Sequence, residues 1–92
     1  MKVNFYATLR SIVGGASVEL DLKPGSNAQQ LLELVVAQHP ALHPALLDRN
    51  KCLRQHMKMF INGREVVYLE GQFEYVLQPT DTVDIFPPVG GG

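Results

Sequence analysis

The chain has 92 residues, 46% hydrophobic and 18% charged, and its eight Lys and Arg against nine Asp and Glu leave a net charge of −1. That length makes one small folded domain burying only about 60–65% of the surface of its unfolded form, and the charge balance argues against nucleic acid and against a polybasic membrane anchor. One cysteine, Cys52, excludes an internal disulfide and a cysteine metal cage, and a strand-like start with no apolar run near the ~18 residues of a membrane span predicts a reduced, cytoplasmic protein without a signal peptide.

Lys2 to Leu9 alternates, with Val3, Phe5, Ala7 and Leu9 on one side and Asn4, Tyr6 and Thr8 on the other, which predicts a half-buried strand. Gly14-Gly15 supplies a turn, and Val18, Leu20 and Leu22 alternate with charged residues as a second strand, so the pair reads as a β-hairpin. Pro24-Gly25 ends it. Asn27 with Gln30 three residues on is a capping-box pattern, and Ala28, Leu31, Leu32, Val35 and Val36 recur at helical spacing. That helix is predicted to stop near Gln38, because Pro40 disfavours helical geometry at His39. Ala41 to Asp48 reads as a short helical piece, and Arg49 to His56 as a polar surface loop.

Met57 to Ile61 alternates again, Asn62-Gly63 is a strong hairpin signal, and Glu65 to Leu69 reads as the return strand. Gly71 to Thr80 is irregular. Thr82 to Phe86 is the last strand, and Pro87-Pro88 ends it. A hairpin, one main helix and further strands predict an α+β fold of the β-grasp type: a mixed sheet with the helix on one face and first and last strands parallel side by side. The predicted division is a domain over 1–86 and an extended, flexible segment over 87–92.

If Val3, Phe5, Ala7, Met59, Ile61, Val83 and Ile85 face the helix, then Tyr6, Phe60 and Phe86 face outward as an aromatic patch, a favoured type of partner interface. Arg10 and Arg64 are expected to rim it. A patch merely covered by neighbouring loops is the competing reading. His39 and His43 have the spacing of a helical zinc pair, but Pro40 and Pro44 break the helix that spacing needs, so no metal is expected. Cys52 sits between Lys51 and Arg54, cations that favour a reactive thiolate, but an incidental thiol is the preferred reading.

The ending Pro87-Pro88-Val89-Gly90-Gly91-Gly92 allows two readings. Terminal glycines are commonly a frayed tail. Here two prolines stiffen the departure from the sheet, the glycines are slim, and no side-chain charge follows Asp84, so the terminal carboxylate is the only charge of a tail that fits a narrow tunnel.

Together, Phe5-Tyr6-Ala7-Thr8-Leu9-Arg10, Asn62-Gly63-Arg64-Glu65-Val66 and the run from Asp81 to Gly92 resemble the ubiquitin-like sulfur-carrier family, and within it the molybdopterin synthase small subunit and the prokaryotic ubiquitin-like small modifiers. The resemblance implies a carrier rather than an enzyme. An E1-like adenylating enzyme would use ATP to activate the Gly92 carboxylate, a sulfur donor of the cysteine desulfurase or rhodanese type would convert it to a thiocarboxylate, and the large synthase subunit would receive the tail. It also implies no bound cofactor. Two other uses of the same terminus are implied: conjugation to lysines as a protein modifier, and sulfur donation to tRNA or to amino-acid biosynthesis. An interaction domain with an inert tail is the remaining alternative.

Overall fold

In the computed structural model, residues 1–88 are described; Val89, Gly90, Gly91 and Gly92, the end of the predicted tail, lie outside the described residues. The strands are β1 (Lys2–Phe5), β2 (Ser17–Glu19), β3 (Lys58–Ile61), β4 (Arg64–Glu65) and β5 (Val83–Phe86). They form one sheet in the order β2-β1-β5-β3-β4. β5 pairs parallel with β1 and antiparallel with β3, so the last strand lies in the middle, as a β-grasp requires.

The main helix, α2 (Ala28–Gln38), starts where the sequence predicts. The Asn27 side chain accepts the Gln30 N–H at 2.8 Å, and Gln30 Oε1 accepts the Asn27 N–H at 2.8 Å. Two otherwise orphaned donors of the first turn are thereby satisfied. Its face of Ala28, Leu31, Leu32, Val35 and Val36 is buried against Val3, Phe5, Met59, Ile61, Val83 and Ile85 in one core. Full burial of Leu31, Leu32 and Val35 is worth about 1.5–3 kcal/mol each. A 3-10 turn (Pro40–Leu42) and the single-turn α3 (His43–Leu46) follow, burying Leu42 and Leu46. His39 and His43 thus fall at the end of one helix and the start of another, not on one helix face. The polar loop after it is organised by Asp48, whose Oδ1 accepts the N–H groups of Asn50 and Cys52, and Cys52 itself is exposed.

Three sequence expectations are corrected. The first strand stops at Phe5, not Leu9: Ala7 turns the chain at φ 53°, the Tyr6 carbonyl accepts the Leu9 N–H at 3.2 Å, and Thr8–Val13 form a short helix, α1. Leu9 is buried as expected, but from this helix, whereas Ala7 is exposed. Alternation from Lys2 to Leu9 is a period of two that a strand end followed by one helical turn imitates. The second strand ends at Glu19, although Leu20 remains buried. The return strand after Asn62-Gly63 is only Arg64–Glu65, because Val66–Tyr68 curl into a 3-10 turn that buries Val66. The hairpin itself forms as predicted, with Asn62 and Gly63 at φ 53° and 82°, the left-handed pair this tight turn demands.

Candidate functional site

The helix covers one face of the sheet and leaves the other to a row of side chains set by register. Asn4 on β1 lies opposite Asp84 on β5, which lies opposite Phe60 on β3. One step along β5, Phe86 lies on the same outer face, opposite Lys58. Tyr6, just past the end of β1, stacks on Phe86 with centroids 4.2 Å apart and planes 11° from parallel. Phe60 meets Phe86 edge-on at 5.4 Å. The three rings expected to cluster are therefore in contact, each half-buried.

Polar groups frame them. Asp84 Oδ1 accepts the Tyr6 hydroxyl at 2.8 Å and the Asn4 amide at 3.0 Å. The bond to Asp84, then desolvation and the carboxylate's charge, raise the Tyr6 phenol above its ordinary pKa against the opposing pull of Arg10. Arg10 lies over the Tyr6 ring, 5.2 Å from its centroid, while its Nε donates to the Phe5 carbonyl at 2.8 Å. This arginine thus caps a strand carbonyl where β2 pairing gives out, besides bordering the patch. Arg64 is different: register sets it opposite Ile61, on the parity of the helix-covered face, so the pairing does not bring it to the rings. Lys58, opposite Phe86, is a second cation on the aromatic face besides Arg10, and pairs with Glu65 at 3.5 Å. Asn4, Lys58 and Asp84 were not legible as site residues from local pattern; the parallel pairing of β1 with β5 places Asn4 against Asp84, and the antiparallel pairing of β3 with β5 places Lys58 against Phe86.

The face is concave beside the point where the chain leaves the sheet. A pocket of about 340 Å³ is lined by Lys58, Phe60, Gly63, Asp84, Phe86 and Pro87. β5 ends at Phe86; Pro87 is buried and Pro88 exposed. A larger pocket, about 450 Å³ around Met1, Pro24 and Pro79, lies at the other end of β1 and β5 and lacks the aromatic groups. Among the described residues no group of three or more His, Cys, Asp or Glu converges as a metal site, and no helix is long and apolar enough to cross a membrane.

This chain is similar to small archaeal modifier protein 3 of Haloferax volcanii, with 32% identity across 100% of the chain and 98% of the relative. It is similar to the molybdopterin synthase sulfur carrier subunit of Chlamydomonas reinhardtii, at 28% identity over 100% and 98%. Its fold matches the crystal structure of SAMP1 from Haloferax volcanii at a TM-score of 0.87, covering 99% of this chain and 97% of that one at 24% identity. With residues 3–92 matched by the ThiS family pattern, and with a β-grasp sheet beneath the aromatic face, the chain belongs to the ThiS family of ubiquitin-like sulfur carriers.

Proposed function

We propose that this chain carries sulfur on the carboxyl group of Gly92 and donates it, as the small subunit of molybdopterin synthase, in molybdenum cofactor biosynthesis. The observation that carries the reading is the position of β5: the strand that precedes the glycines in the chain runs between β1 and β3 and ends at Phe86, itself part of the aromatic face. Handle and reactive end are then a few residues apart, and one partner can grip the first while acting on the second.

The chemistry needs that partner. A carboxylate is a poor electrophile. An E1-like adenylating enzyme joins it to AMP from ATP, releasing pyrophosphate, and the mixed anhydride becomes attackable. Sulfide displaces AMP and leaves the thiocarboxylate; where a cysteine desulfurase or rhodanese-type donor offers a persulfide instead, its outer sulfur displaces AMP to give an acyl disulfide, and a reducing thiol cleaves that to the thiocarboxylate, the thiol and the donor sulfur leaving as a disulfide. Its soft sulfur is then nucleophilic toward the acceptor held by the large synthase subunit. Val89, Gly90 and Gly91 act as the slim stem, and this chain contributes no general base.

Intact-mass measurement after incubation with ATP, the activating enzyme and sulfide tests the reading. A gain of about 16 Da, one oxygen exchanged for sulfur, is expected, and it disappears on deletion of Gly91-Gly92 with the fold unchanged. No gain in the full chain, or a gain that survives the deletion, refutes it.

A second reading draws on the 32% identity to a protein named as a small archaeal modifier. The same activated Gly92 carbonyl would form an isopeptide with a lysine ε-amine, and because Arg64 is the last tryptic site, lysines carrying the 65–92 segment in tryptic digests of cell protein would report it.

A further inference from the structure

We infer that Asp84 is a positioning residue for docking: by holding the Tyr6 hydroxyl it fixes the Tyr6 ring against Phe86 and presents a preformed aromatic face to the enzyme that activates the tail. The inference rests on the proposed role of Gly92.

Tyr6 lies just outside the sheet ladder. β1 ends at Phe5, and the chain turns at Ala7, whose φ of 53° and ψ of −130° lie outside the regions alanine favours. The ring is kept in place by side chains. Phe86 covers one face, the Arg10 guanidinium lies over the ring, and Asp84 takes the hydroxyl at 2.8 Å. Asp84 is itself steadied by Asn4, directly opposite in the parallel register. Phe86 sits one residue before Pro87, so the same stack defines the root of the departing chain. A hydrogen bond to a carboxylate is stronger than one to a neutral acceptor, and a ring ordered before docking spares the complex the cost of ordering it. Asp84 need not touch the partner to act in this way.

The test compares Asp84→Ala, Asp84→Asn, Tyr6→Phe and the double variant Tyr6→Phe/Asp84→Ala as substrates of the activating enzyme. Asp84→Ala should raise KM about tenfold, the size of one lost charge-assisted hydrogen bond, with kcat within about twofold. Asp84→Asn, whose amide oxygen still accepts the hydroxyl, should stay within about threefold of the parent KM. The double variant should be no worse than the worse single, because both remove one contact. In the isolated chain, Asp84→Ala should shift the Tyr6 and Phe86 ring-proton resonances toward unstacked values and return the Tyr6 phenol toward an ordinary titration. An unchanged KM in Asp84→Ala, an Asp84→Asn defect equal to it, or additive losses in the double variant would each overturn the inference. If the parent chain is not adenylated at all, the reading of the tail fails by itself. The ring resonances then decide the clamp, and shifts unmoved by Asp84→Ala overturn it.

Discussion

Asp81 gathers three donors just before β5: the Gln78 N–H at 2.8 Å, the Asn62 amide at 2.8 Å and the Tyr75 hydroxyl at 3.1 Å. Burial alone pushes its carboxyl upward; the donors from Gln78, Asn62 and Tyr75 outweigh that and hold it below the ordinary carboxylate value. The same bond, with desolvation as the leading cause, raises Tyr75. Asn62 in turn accepts the Thr82 N–H at 2.9 Å, so the β3–β4 turn is clasped to the start of β5. A carboxyl whose pKa falls on folding stabilises the fold above its unfolded pKa, and that contribution is lost as pH drops through the folded value. Acid titration of stability should therefore show a component that disappears below about pH 4 and is missing in Asp81→Asn. At neutral pH, Asp81→Ala should cost about 1–2 kcal/mol, read by urea denaturation.

At the scale of elements, α2 is the clearest case of local instruction. Its capping box, its apolar face and its stop before Pro40 are all written within a few residues of where they act. Asn27→Ala should remove the cap and cost about 1 kcal/mol, lowering Tm by about 4–8 °C in a domain of this size. Gln30→Ala, which removes only the reciprocal bond, should cost less. The short elements are the opposite case. α1 and the 3-10 turn at Val66–Tyr68 are too brief to stand alone, and packing of Leu9 and Val66 into the core decides that they are not strands.

For the molecule as a whole, the parallel pairing of β1 with β5 is the central joint. It brings Phe5 beside Ile85 under α2, and Asn4 and Tyr6 to Asp84 on the other face. Phe5 is fully buried. Phe5→Ala should cost about 3–5 kcal/mol, a large share of the about 5–15 kcal/mol that holds a small domain together. Thermal unfolding of that variant checks it; a loss under about 1 kcal/mol would show that the joint does not carry the fold.

Sequence by itself determined the helix with its cap, the inward sides of β1, β3 and β5, the Asn62-Gly63 hairpin and the family, because periodicity, capping, turn chemistry and the recurring motifs at both ends of the chain are patterns among near neighbours. Tertiary structure decided where β1 stops, which short segments curl, that Arg64 falls away from the rings while Lys58 joins them, and that Asp84 meets Tyr6 across 78 residues of chain. Those outcomes depend on strand order and register, and a contact between distant positions is set by how whole elements pack, which no local alternation records.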